Sequence, residues 1–172
     1  MELNFLDKIF DGKDSLISKD LYLNFKKYLE NSNLERCEMD LLVYSLSSAL
    51  GLDEVATFFE GSLLNESLTS NQILEAKEIS AFMGMLNTYY KFKNFIENSS
   101  DYNVAGLRMN AMAKPSLSKV QFEILAFAHS LINGCEFCVK AHESELKKLG
   151  LMADKIHDVV RMTCILKGIS CF

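Results

Sequence analysis

Apolar residues recur at intervals of three and four in nearly every window of this chain, and no run of alternating, β-branched residues bounded by turns breaks that rhythm. A polypeptide patterned this way hides its apolar stripes by packing helix on helix. One proline, Pro115, and eight glycines punctuate it, and they fall where helices should begin or end. Thr69-Ser70-Asn71-Gln72 and Ser118-Lys119-Val120-Gln121 each fit a capping box, in which hydroxyl and glutamine satisfy amides otherwise orphaned at a helix start. Helices are therefore expected from about 70 and from about 119. Gly150, following Leu146-Lys147-Lys148-Leu149, supplies the left-handed residue that closes a helix, and the lysines of that last turn face the negative end of its dipole. A final helix from about Asp154 should bury Ile156, Val159, Val160, Thr163 and Leu166. The expected fold class is all-α.

Slid against itself, the chain aligns without a gap over 40–86 and 123–169, an offset of 83, with seven identical pairs. They are Leu42/Leu125, Ser47/Ser130, Gly51/Gly134, Glu60/Glu143, Leu63/Leu146, Leu68/Leu151 and Ile73/Ile156, with Asp40/Glu123 and Tyr44/Phe127 similar. The paired glycines occupy the same expected helix junction. Where the second copy has Cys135, Cys138 and His142, the first has Leu52, Val55 and Phe59. The expected organisation is one domain over 1–172: an N-terminal helical extension to about 35, a non-catalytic repeat over 36–90, and a second repeat over 119–172 that keeps the chemistry.

Composition excludes several classes of function. With 172 residues, 49% of them hydrophobic and 24% charged, the chain has material for one substantial core. A net charge of −5, with no long basic cluster, gives no attraction to phosphate backbones or anionic lipid. No apolar run is long enough to cross a bilayer, and the N-terminus lacks a basic segment followed by an apolar one. The reading is cytoplasmic, without nucleic-acid or membrane partners. Five cysteines at irregular spacing (Cys37, Cys135, Cys138, Cys164, Cys171) do not form a structural disulfide framework.

Chemistry concentrates at Cys135-Glu136-Phe137-Cys138. If Gly134 ends one helix and Cys135 opens the next, the thiols lie three apart and His142 four beyond Cys138, on one face. Unpaired amides and the positive dipole end in a first turn favour thiolate over thiol. Glu123 belongs to the preceding helix; a short junction at Asn133-Gly134 could fold it back, and burial among Ile124, Leu125 and Phe127 should raise its pKa and suit it to proton exchange with His142 or Cys135. A thiolate that attacks a peroxide becomes a sulfenic acid, and a second thiol three residues away condenses with it to a disulfide. Both thiols share the first turn; His142 favours Cys138 as the attacking one. No bound cofactor is implied.

At these residues the chain resembles the alkyl hydroperoxide reductase D (AhpD) family of the carboxymuconolactone decarboxylase-like superfamily. The match is Glu123, eleven residues, Cys135, two residues, Cys138, three residues, His142-Glu143, supported by Met85 to Lys93, Leu107-Arg108-Met109-Asn110 and Asn133-Gly134. The resemblance covers about residue 35 to the C-terminus. It implies an all-helical fold with an internal duplication, assembled as a homotrimer. It also implies an antioxidant peroxidase that reduces alkyl hydroperoxides and serves as reductant of the peroxiredoxin AhpC. Electrons would come from dihydrolipoamide on the lipoyl domain of a 2-oxoacid dehydrogenase complex. By position, Cys138 would be the peroxidatic cysteine and Cys135 its resolving partner and proton donor, joined as the redox disulfide, with Glu123 and His142 as proton relay. Many members have histidine where this chain has Phe137, which puts an auxiliary proton-transfer role in doubt.

Other readings compete. Zinc would find three ligands in Cys135, Cys138 and His142 but would need Glu145 or His157 as a fourth; the result would be a metal-stabilised, non-enzymatic helical interaction module. The cysteines could equally be small buried apolar residues, or the chain a carboxymuconolactone decarboxylase-like protein of other substrate. Thioredoxin is excluded on fold. His129 reads as a hydrogen-bonded core residue and His157 as exposed. Cys37, Cys164 and Cys171 read as packing or surface thiols, and Phe82, Tyr89, Tyr90 and Phe92 as core or subunit interface.

Overall fold

Two helices of the molecule are buried on every side, and the others wrap them. A computed structural model describes residues 4–66 and 68–172. Among these, α1 is Asn4–Phe10, α2 Leu16–Glu30, α3 Arg36–Leu50, α4 Asp53–Asn65, α5 Ser70–Phe95, α6 Asn110–Ala113, α7 Lys119–Ile132, α8 Glu136–Lys148 and α9 Ala153–Ile169, with a 3-10 turn at Ser99–Tyr102. No strand occurs among the described residues, and no helix there is long and apolar enough to cross a membrane. The fold is all-α, as the periodicity requires.

The central pair is α3 and α7. Every residue from Met39 to Ser47 and from Phe122 to Ser130 is buried, the signature of helices surrounded by others rather than lying on a surface. They touch each other; α4, α5 and α9 pack on α3, and α5, α8 and α9 on α7. The outer helices bury one stripe only. In α4 it is Val55, Phe59 and Leu63, and in α8 Cys138, His142 and Leu146, four apart in both cases as a helical face demands.

Those two triplets stand in the same register. Helices α3, α4 and α5 begin at Arg36, Asp53 and Ser70, and α7, α8 and α9 begin 83 residues later at Lys119, Glu136 and Ala153. The capping boxes at Thr69/Gln72 and Ser118/Gln121 are present, each side chain bonding the other's backbone amide at 2.9–3.3 Å. Val160, expected in the core, lies at the edge of the α9 stripe and is only partly buried.

The N-terminal helices add to the core. Phe25 of α2 is fully buried, and Phe5 of α1 meets Phe25, Phe58 and Phe59 with ring centroids 6.1, 4.8 and 6.1 Å away, each buried ring contributing about 2–3 kcal/mol. Helix α2 lies against α9 at Gly168, where a Cβ would stand 2.8 Å from Leu21 Cδ2. Asp158 of α9, itself buried, accepts from the Asn33 N–H and side-chain amide, both at 2.8 Å, and so fixes the connection from α2 into α3.

Candidate active site

The site is built at a junction three residues long, Asn133-Gly134-Cys135. Helix α7 ends in a Schellman closure: Gly134, at φ 64°, donates to Leu131 O at 3.0 Å, and Cys135 donates to Ser130 O at 3.1 Å. The residue that completes this closure also starts α8, for Cys135 is its N-cap and its Sγ accepts the Cys138 N–H at 3.4 Å. Chain direction therefore reverses within three residues, and the two cysteines fall at the N-cap and in the first turn of α8. Cys135 and Cys138 are joined as a disulfide, with Cα atoms 5.3 Å apart, within the range such a bond spans.

The reversal brings Glu123 of α7 against His142 of α8. Glu123 Oε2 lies 2.7 Å from His142 Nδ1, and Oε1 lies 2.8 Å from Lys119 Nζ. A carboxylate only accepts, so the hydrogen of this bond sits on His142 Nδ1. The carboxyl was expected to titrate high. Burial does push it up, but the bonds from His142 and Lys119 outweigh burial and hold Glu123 below its ordinary value. Of the two partners foreseen for Glu123, it is His142 that it bonds.

Glu123, Lys119, His142, Asn87 and Glu145 form the polar side of a cavity of about 270 Å³, and Met83, Leu86, Tyr90, Met112, Phe137 and Ala141 its apolar side. Cys138 lines this cavity and Cys135 does not. Both cysteines are nearly closed to bulk water, Cys138 4% and Cys135 1% exposed. A larger groove of about 610 Å³ along α5 carries Glu75 and Glu78 but neither thiol nor imidazole. Among the described residues no group of three or more His, Cys, Asp or Glu is arranged to hold a metal ion; the sulfurs bond each other and His142 Nδ1 is taken by Glu123.

Residues 102–170 match the model of the carboxymuconolactone decarboxylase family. Among curated proteins, the chain is 34% identical to "Alkyl hydroperoxide reductase AhpD" of Maricaulis maris (strain MCS10) over 158 residues, covering 89% of this chain and 88% of that one. It is 32% identical to the protein of the same name from Mycobacterium ulcerans (strain Agy99) over 154 residues, 89% and 85% of the two chains. A shorter stretch of 95 residues is 42% identical to the Anaeromyxobacter dehalogenans (strain 2CP-1 / ATCC BAA-258) protein, about half of each chain at 55% and 51%. The chain belongs to the AhpD family.

Within that family frame, Phe137 is a half-exposed ring stacked on Tyr90 at 5.1 Å between centroids and 23° between planes. Phe137 thus forms an aromatic wall beside Cys138. Lys119 and the Tyr90–Phe137 stack escaped sequence reasoning. Lys119 stands four residues before Glu123, a spacing that marks an ion pair on any helix; the stack joins α5 to α8 and has no local signal.

Of the remaining residues, the histidines and the three other cysteines lie where expected, whereas none of the four aromatic residues read as core or interface is fully buried. His157, Cys164 and Cys171 are exposed, and Cys37 is partly buried, its thiol pushed up by burial first and then by Glu66, Asp40 and Glu38. Phe82, Tyr89 and Tyr90 are partly buried and Phe92 is exposed. His129 is buried, with Nε2 2.8 Å from Ser45 Oγ, and burial lowers its pKa from 6.5 to about 4.

A pH dependence of stability follows from His129. The unfolded chain takes a proton there below about 6.5 and the folded chain only below about 4, so between those values the unfolded state binds more protons. Stability is expected to fall by up to about 3 kcal/mol as pH drops from neutral through this window. Urea unfolding at pH 7 and pH 4.5 tests it: the decrement should shrink in His129→Gln, and an equal decrement in both proteins would refute the assignment.

Proposed function

We propose that this AhpD-family chain is an antioxidant thiol peroxidase and disulfide reductase that cycles Cys135 and Cys138 between dithiol and disulfide. Support comes chiefly from one observation: Cys138 alone of the pair opens on the cavity that Glu123 and His142 also line. In the reduced protein the Cys138 thiol passes its proton to His142 Nε2 and attacks the terminal oxygen of an alkyl hydroperoxide. The O–O bond breaks, an S–O bond forms, and the departing alkoxide takes the proton from His142 to leave as alcohol. Cys138 is now a sulfenic acid. The Cys135 thiol attacks its sulfur, water leaves with the Cys135 proton, and the disulfide closes.

Renewal requires an external dithiol. A dihydrolipoamide thiolate attacks Cys138 from the cavity, Cys135 departs as thiolate and is protonated, and the second lipoyl thiol displaces Cys138 while closing its own ring. The apolar side of the cavity, with Met112 and the Tyr90–Phe137 stack, suits an alkyl or lipoyl chain better than a hydrated one. The donor in this reading is a lipoyl domain of a 2-oxoacid dehydrogenase complex. The acceptors are alkyl hydroperoxides and the peroxiredoxin AhpC, and the enzyme is a cytoplasmic homotrimer.

The test is consumption of cumene hydroperoxide by catalytic amounts of protein with dihydrolipoamide as reductant. Multiple turnovers, with one dihydrolipoamide oxidised per hydroperoxide, are expected. Failure of the oxidised protein to accept electrons from dihydrolipoamide would remove the donor from the scheme, and failure of the reduced protein to consume peroxide would remove the peroxidase.

A further inference from the structure

We infer that Lys119 is a positioning residue of this site: its ion pair with Oε1 holds the Glu123 carboxylate charged and turned so that Oε2 meets His142. This deepens the peroxidase reading and rests on it for the effect on turnover. Lys119 is the first residue of α7, where a cation faces the positive pole of the helix dipole and is disfavoured by the helix itself. What favours it there is contact with Glu123, one turn on, at 2.8 Å. The lysine is 43% exposed and the carboxylate 4%, so the pair reaches from cavity mouth to cavity floor.

The other repeat shows what such a pair does without thiols. Arg36 Nε lies 2.8 Å from Asp40 Oδ1 at the equivalent positions, and Asp40 Oδ2 accepts from Ser62 Oγ at 2.6 Å. Phe59 stands in that repeat where His142 stands in this one. The cation and carboxylate belong to the helical frame in both repeats, and the second frees Oε2 for an imidazole. Held at Oε1 by Lys119, the carboxylate cannot swing away from His142 without breaking a charged hydrogen bond.

The groups that face Glu123 across the cavity are His142, Glu145 and Cys138 on α8, Tyr90 on α5 and Lys119 on its own helix; α6 brings Met112. Among the described residues, α3 and α9, packed on other faces of α7, bring no charged group to this cavity. Loss of Lys119 therefore leaves His142, among the described residues, as the one side chain bonded to the Glu123 carboxylate.

The experiment compares Lys119→Met and Lys119→Arg with the wild type by two readouts. One is the pH profile of hydroperoxide turnover; the other is carboxyl titration of Glu123 by carbon-detected NMR, which needs no substrate. In Lys119→Met the Glu123 midpoint and the acid limb of activity should both move to higher pH. Turnover at the optimum should fall roughly tenfold, a fraction of the general acid–base contribution. Lys119→Arg should restore both, and Lys140→Met, on the outer face of α8, should change neither. An unchanged Glu123 titration in Lys119→Met overturns the inference even if the peroxidase reading stands. A shifted titration in a protein without peroxidase activity upholds the positioning and removes only its catalytic consequence. Loss of thermal stability with both pH readouts intact would make Lys119 purely structural and overturn the inference.

Discussion

Replacing Cys138 by serine is expected to reduce dihydrolipoamide-driven hydroperoxide turnover to the background rate of the dithiol alone, a fall of roughly a thousandfold or more for loss of a nucleophile. The expectation rests on access. Cys138 lines the cavity and Cys135 is sealed behind it at 1% exposure, so no second thiol is placed to take over the attack. Cys135→Ser should behave differently: Cys138 still meets peroxide, one equivalent of alcohol is released, and the enzyme stops as a sulfenic acid that a dimedone-type reagent labels at Cys138. Rapid-quench alcohol release with mass spectrometry of the labelled peptide separates the two variants. Retained turnover in Cys138→Ser beside an inert, unlabelled Cys135→Ser would reverse the roles, and normal turnover in both would end the dithiol reading.

Glu123→Gln should lower turnover by roughly 10²–10⁴-fold, the span of a general acid–base contribution, while the protein remains folded. The amide oxygen can still accept from His142 Nδ1–H, and Lys119 is exposed enough to be solvated, so shape is kept and charge is lost. Glu123→Ala removes both and leaves the two partners with an empty acceptor position. Its expected cost is about 3 kcal/mol, typical when one member of a buried pair is deleted. Chemical denaturation and kinetics on the two variants together separate structure from chemistry: equal destabilisation with unimpaired turnover in the glutamine variant would remove Glu123 from the relay. The sign of the pH effect is also fixed. A carboxyl held below its usual 4.5 in the folded state contributes stability that is full above 4.5 and lost as pH falls through the folded value. The loss belongs below pH 4.5, whereas that from His129 begins near 6.5.

Much of this was readable from residues because the signals are local. Ser118 with Gln121 and Thr69 with Gln72 mark their helix starts by chemistry confined to one turn, and Gly134 and Gly150 mark their ends by a backbone angle that few other residues adopt. The Glu123–His142 contact was half legible. Spacing put Cys135, Cys138 and His142 on one face, and a short junction could return Glu123 to them. Which partner Glu123 would take, and the direction of its titration, depend on how two helices lie together. Burial in apolar company argued one way, and Lys119 and His142 decided the other. The Tyr90–Phe137 wall and the Ser45–His129 pair join residues 47 and 84 positions apart in the chain, beyond any periodicity.

The three-residue turn around Gly134 sets a mechanical tolerance on the proposed chemistry. Glu123 lies nine residues before the end of α7, a lever about 13 Å long at the helical rise. With only three residues between α7 and α8, a rotation of about 5° between them carries the carboxylate about 1 Å across the imidazole. A misplacement of that size costs roughly 10²-fold in rate. A Cβ at Gly134 would touch nothing within 4 Å, yet the left-handed φ held there fixes that angle. The pivot, itself outside the cavity, thereby sets the alignment of Glu123 with His142.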